Sequence, residues 1–212
     1  MNRRAVFASM GATVFVAGCG GNISGRDASA EEVARAVYRH DGPPEIVLYT
    51  MINNRTGSGA HSAMLINAPS QRVIYDPAGN VRFNGVPEIG DVLYGITPTA
   101  RVHFESAHAR STYRVRILSR PVSGEVAEQA LRMVQAQGAV GPALCSNAVA
   151  VILRKLPGFE GLSSSWFPNK LADSFARLPG VTERVLREDD SDDKEAAIAE
   201  LQGKQAQTRQ GQ

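Results

Sequence analysis

Thr112-Tyr113-Arg114-Val115-Arg116-Ile117 alternates apolar and polar side chains, whereas Ser123-Gly124-Glu125-Val126-Ala127-Glu128-Gln129-Ala130-Leu131-Arg132-Met133-Val134-Gln135-Ala136-Gln137 does not. In the first stretch Tyr113, Val115 and Ile117 share one face, and Thr112, Arg114 and Arg116 share the other. That pattern predicts a strand with one buried face. In the second, Val126, Ala130, Leu131 and Val134 fall on one side of a helix over 124–137. Ser123 stands at its N-cap and Glu125 lies in its first turn. The hydrophobic period changes between the two stretches. Upstream, strands are predicted over Glu45–Ile52, His61–Asn67 and Arg72–Tyr75, with Val102–Phe104 a candidate partner for the 112–117 strand. A short helix, Ala30–Tyr38, precedes them and is stopped by Asp41-Gly42-Pro43-Pro44. Downstream, Ala143–Lys155 is apolar nearly all round and predicts a buried helix. Asn169–Ala176 predicts a short closing helix, with Trp166 packed beneath it. Strands first and helices second is an α+β pattern.

These elements fill one domain, residues 30–186, of ordinary single-core size. Residues 19–29 are rich in Gly and Ser and read as a tether. Residues 187–212 carry Glu188-Asp189-Asp190 and Asp192-Asp193, then a Gln-rich run, with Ile198 and Leu201 as their large aliphatics. Such a segment has little apolar surface to offset its ordering entropy, so a disordered tail is expected.

The N-terminus has its own logic. Met1-Asn2-Arg3-Arg4 is basic, Ala5–Ala17 is apolar or small, and Val16-Ala17-Gly18-Cys19 follows. This order marks a secretory signal over 1–18. The apolar run is shorter than the roughly 20 residues a membrane-spanning helix needs. Its last four residues resemble the bacterial lipobox, which implies cleavage before Cys19 and a lipid on that cysteine. The expectation is an exported lipoprotein of the cell envelope, anchored to a membrane. Gly20 after the cysteine favours the outer membrane, facing the periplasm. The whole chain has 23 Lys+Arg against 21 Asp+Glu, and removal of Arg3 and Arg4 leaves 21 against 21. A neutral chain gives no electrostatic reason to expect nucleic acid as a partner. No metal-ligand cluster and no phosphate-cradling glycine motif is evident, so neither metal nor cofactor is expected.

With Cys19 lipidated, Cys145 is the single remaining thiol of 2 cysteines. A free thiol in an oxidising compartment is either a small buried hydrophobe or a nucleophile. Its place just after Gly141-Pro142, in the first turn of the predicted helix, favours the nucleophile. Backbone N–H groups there stabilise a thiolate and can hold an oxyanion. A thiolate nucleophile needs an imidazole. Of the 4 histidines, His40 lies beside a turn. His103 and His108 precede the 112–117 strand and either could serve. His61 opens an apolar strand at a sheet edge and is the leading candidate. Asp76, 15 positions on at the end of the next strand, is the natural group to orient it. Asp91 is the alternative. Asn147 is turned away from Cys145 by helix geometry.

Gly59-Ala60-His61-Ser62-Ala63-Met64-Leu65-Ile66, then Val73-Ile74-Tyr75-Asp76, then Leu144-Cys145-Ser146-Asn147 and Phe167-Pro168-Asn169-Lys170-Leu171 together resemble the circularly permuted NlpC/P60 superfamily. These are papain-like thiol hydrolases that include YiiX/YaeF-like bacterial lipoproteins and the lecithin:retinol acyltransferase group. Permuted members place the His strand first, a polar residue on the next strand and the Cys later at a helix start. The resemblance implies an antiparallel sheet packed against helices, with catalytic Cys145, His61 and Asp76. It implies hydrolysis or transfer at an amide or ester bond, in a peptidoglycan stem peptide or a lipid acyl group such as palmitate. The competing expectation is a non-catalytic envelope lipoprotein that keeps the fold as a scaffold or partner-binding module.

Overall fold

Strand β1 (Glu45–Asn53) is largely apolar between its polar ends and is buried except at those ends, because both faces of the sheet at its centre are covered. Ile46 and Leu48 point into one hydrophobic layer, and Val47, Tyr49 and Met51 into the other. The computed structural model in which this is seen describes residues 27–193 and, beyond them, 196, 198–200 and 203. The segment expected to be a signal, and Cys19, expected to carry a lipid, lie outside the described residues. Among the described residues, no helix is long and apolar enough to cross a membrane.

Around β1 the chain lays down β2 (Gly59–Asn67), β3 (Arg72–Tyr75), β4 (Glu88–Ile89), β5 (Val92–Leu93), β6 (Tyr113–Pro121) and β7 (Thr182–Leu186). They form one seven-stranded sheet in the order β4-β5-β3-β2-β1-β6-β7, antiparallel throughout. Helices α3 (Gly124–Gln137), α4 (Cys145–Leu153) and α5 (Pro168–Ala176) contribute to the first layer, with α4 crossing β2 and α5 crossing β1. Helix α2 (Pro98–His108) covers the second layer with Phe104 and Ala107. Helix α1 (Ala30–Ala36) rides on the rim, held by a capping box between Ser29 and Glu32. The protein is an α+β fold, with Cys145 buried at the start of α4.

Helix α3 has the predicted bounds, and the Ser123 hydroxyl accepts the Val126 N–H as its N-cap. The strand expected at Val102–Phe104 is instead the middle of α2, and β6 pairs with β1 and β7. Thr97 caps α2 by accepting the Ala100 N–H, Pro98 opens it, and Ala100, Phe104 and Ala107 recur at helical spacing. A three-residue stretch with two apolar positions, Val102 and Phe104, carries too little periodicity to separate the two outcomes. Trp166 does not pack beneath α5 but stands 60% exposed.

The described part of the acidic segment makes several contacts with the domain. The Ser106 hydroxyl donates to Glu188, Arg110 meets Asp190, and Thr112 donates through N–H and hydroxyl to Asp192. Ser111 N–H donates to the Asp190 carbonyl, and Ile198 is buried in the second layer. The partners that hold this segment come from the α2–β6 turn, far away in sequence, so its own composition carried no sign of them.

Candidate active site

Strand β3 ends at Tyr75, opposite Met64 of β2. The start of β2 therefore runs on without β3 beside it, and that vacant edge is where the candidate residues converge. Beyond Tyr75 the chain turns at Asp76-Pro77, which brings the Asp76 carboxylate back toward β2. His61 Nε2 lies 2.7 Å from Asp76 Oδ1, with the His61 side chain 19% exposed and that of Asp76 4% exposed. Cys145 hydrogen-bonds the same imidazole. Since Asp76 takes Nε2, Nδ1 is the nitrogen left for sulfur. The structure thus brings together Cys145, His61 and Asp76.

The electrostatics follow from this contact. Burial alone would lower the pKa of His61, but the Asp76 carboxylate opposes it by charge and hydrogen bond. With the Cys145 thiolate adding to the effect, the pKa of His61 is raised to about 10. Burial alone would push the Cys145 thiol up. The His61 hydrogen bond and charge, together with the backbone N–H groups of Ser62 and Ser146, bring it below its ordinary value instead. The Ser62 N–H belongs to the start of β2, which β3 does not reach. The Ser146 N–H belongs to the first turn of α4, where N–H groups have no acceptor within the helix. Thiolate and imidazolium are each other's favoured partners here.

Asp91, the alternative to Asp76, has a different place. Its carboxylate accepts the N–H groups of Ala78 at 2.8 Å and Val140 at 3.0 Å, and its carbonyl accepts the Asp76 N–H at 2.8 Å. It ties the turn that carries Asp76 to the loop that leads into Cys145. Among the described residues, the non-glycine residues with φ in the left-handed region are Ala78 (58°), Asp91 (64°) and Ala143 (64°). Ala78 lies two positions past Asp76, and Ala143 two before Cys145. Such conformations are costly for residues with a Cβ, and here they coincide with the segments that aim the site.

Of the other histidines, His103 packs near Phe83, their ring centroids 6.4 Å apart. His108 stacks on His61 with centroids 6.2 Å apart and planes 16° from parallel. Its Nδ1 lies 2.8 Å from the Phe104 carbonyl, which can only accept, so Nδ1 carries the proton. His108 is a wall of the site. A cleft of about 290 Å³ opens beside it, lined by His61, His108, Arg110, Tyr113, Gly79 and Asp192 among others. Arg110 and Gly79 were not anticipated as site components. Of the Asp-Pro-Ala-Gly-Asn stretch, Asp76 was legible as a site residue and the rest only as a turn.

Gly79 is required by a close approach. A Cβ on it would stand 1.8 Å from Asp76 Oδ2. Gly79→Ala should displace the carboxylate, destabilise the domain by about 1–3 kcal/mol and suppress Cys145 reactivity at neutral pH. Gly161→Ala, where a Cβ meets nothing within 4 Å, is the control and should change neither. Thermal unfolding and iodoacetamide alkylation read both variants. Unaltered thiol reactivity in Gly79→Ala would mean this contact does not hold the carboxylate in place.

Comparison of the chain with protein-family models, with curated proteins and with solved structures found no match.

Proposed function

We propose that this protein is a thiol hydrolase of the permuted papain-like, NlpC/P60-like type, acting on an amide or ester bond. The observation that carries the reading is the His61 imidazole held between the Asp76 carboxylate, 2.7 Å from Nε2, and the Cys145 thiol at the start of α4. The order of His strand, Asp strand and Cys helix along the chain supports the same family. So does the antiparallel sheet with α4 packed across the His strand. A non-catalytic scaffold gives no reason to bury a thiol, an imidazole and a carboxylate in mutual contact, since burying charge costs several kcal/mol per ion before pairing.

The chemistry follows from the geometry. The Cys145 thiolate attacks the carbonyl carbon and forms a C–S bond as the carbonyl π pair moves to oxygen. The Cys145 N–H at the helix start donates to that oxyanion. The tetrahedral intermediate collapses, the C–N or C–O bond breaks, and His61 gives its proton to the departing amine or alcohol. Water then attacks the thioester, His61 takes its proton, and the acid leaves with Cys145 restored as thiolate. Asp76 keeps the imidazole oriented and offsets its charge. Read with the lipobox-like N-terminus, the reaction belongs in the cell envelope of a lipid-anchored protein. A peptidoglycan stem peptide or a lipid acyl group is then the accessible substrate.

An activated ester tests the reading without knowledge of that substrate. p-Nitrophenyl acetate should acetylate Cys145, and peptide mass spectrometry should locate the adduct there. The adduct should decay in water with release of acetate, and Cys145→Ser should form it far more slowly. Acetylation confined to surface lysines, with Cys145 unmodified, would sink the proposal.

A further inference from the structure

The cleft beside His61 contains a charge that the reaction just described does not use. Arg110 has a side chain only 6% exposed, lines the cleft, and has a buried Nε without a hydrogen-bond partner. Its other contacts are loose. Nη1 lies 3.4 Å from Asp190, whose own side chain is 75% exposed, and Nη2 lies 3.9 Å from Glu188 and 3.2 Å from the Ser106 hydroxyl. Asp192 reaches the same cleft and is held by Thr112. A guanidinium is a rigid fork of donors suited to a carboxylate, and burying it is unfavourable unless that fork is filled. Here the fork is buried and partly unfilled, while the carboxylates that meet it come from an exposed, acidic segment. Those carboxylates sit as an exchangeable ligand would.

We propose that this cleft is the subsite for a carboxylate-bearing part of the substrate, with Arg110 as its counter-ion, and that Glu188–Asp192 is a built-in occupant which the substrate displaces. The inference rests on Cys145 and His61 being the reacting pair. It adds a substrate class: an acyl compound carrying a free carboxylate near the bond that is cut. The cleft is small, so it takes one such group rather than a chain of residues.

Iodoacetate and iodoacetamide are nearly equal in size and differ in charge, so the ratio of their rates at Cys145 reads the field in the cleft. Peptide mass spectrometry on the full chain restricts the reading to Cys145. Arg110→Gln should lower the iodoacetate-to-iodoacetamide ratio by about fivefold or more, whereas Arg110→Lys should largely keep it. Neutralising the occupant with Glu188→Gln, Asp190→Asn and Asp192→Asn together should raise the ratio severalfold. These three changes lie outside the hydrophobic core and so remain available if Arg110→Gln fails to fold. As a second readout, added acetate should shift the His108 ring resonances in the neutralised variant at lower concentration than in the wild type. An unchanged ratio in folded Arg110→Gln, or no rise on neutralising the occupant, would overturn the proposal. The ratio can be measured above the ordinary thiol pKa even if Cys145 is not activated. Loss of the His61-dependent iodoacetamide rate would count against the hydrolase reading, and an unresponsive ratio against the carboxylate subsite.

Discussion

Replacing His61 with alanine should slow iodoacetamide alkylation of Cys145 at pH 6.5, by up to roughly 100-fold. The size follows from the thiolate fraction. In the wild type, the imidazolium lowers the thiol pKa against the opposing effect of burial. Without it, burial acts against the backbone donors alone, and the thiol returns toward or above an ordinary value of about 8.5. At pH 6.5 that leaves on the order of one thiol in a hundred ionised. A less acidic thiol gives a somewhat more nucleophilic thiolate, with a Brønsted slope of about 0.4–0.5, which offsets part of the loss. The pH profile distinguishes this from a packing defect. The acid limb of the wild-type rate should lie at lower pH than that of the variant, whose rate should rise about tenfold per pH unit through neutrality. Superimposable profiles for the two proteins would mean that the imidazole does not set the thiol's ionisation.

Much of the site was legible because it rests on local rules. The apolar run after His61, the Pro69 turn and the apolar run before Asp76 predict adjacent antiparallel strands, and β2 and β3 pair in that way. The contact itself needed something more. Met64 stands opposite Tyr75 and Ile66 opposite Val73, so a continued ladder would set His61 against Ala78, not Asp76. The His61–Asp76 bond forms because β3 stops and the chain turns at Asp76-Pro77, with Gly79 making room for the carboxylate. That turn is braced by Asp91 and by left-handed residues at 78 and 91, which no periodicity announces. Cys145 was placed from a helix-start signal, Gly141-Pro142, and α4 begins at Cys145 itself. The missed parts share one cause. Arg110, the docked acidic segment and Ile198 depend on partners far away in sequence. For α2, the Thr97-Pro98 helix start outweighed the alternation of Val102, His103 and Phe104, which resembled a strand.

Asp76→Asn gives the second large effect, and its form separates orientation from charge. The amide nearly matches the carboxylate in size, and the backbone bonds from Asp76 to Asp91 and Gly79 do not involve the side chain. The fold should therefore survive, with an unfolding temperature close to that of the wild type. The charge does not survive. Burial lowers the His61 pKa and the carboxylate is the main force raising it, so its loss lets that pKa fall from about 10. With less imidazolium present, Cys145 loses part of what lowers its own pKa, which rises. In the wild type the competent form, thiolate with imidazolium, spans the range from the lowered thiol pKa up to about pH 10. In the variant the acid limb moves up and the alkaline limb moves down, so the bell of kcat/KM narrows from both sides and its maximum falls. A drop of roughly 10²–10⁴-fold in turnover of p-nitrophenyl acetate at neutral pH is expected, the usual range for a disabled general acid–base. Asp91→Asn keeps an oxygen to accept both N–H groups and leaves Asp76 charged, so its bell should keep the wild-type limbs. A narrowed bell in Asp91→Asn with an unaltered one in Asp76→Asn would reverse the assignment and make Asp91 the group that orients His61.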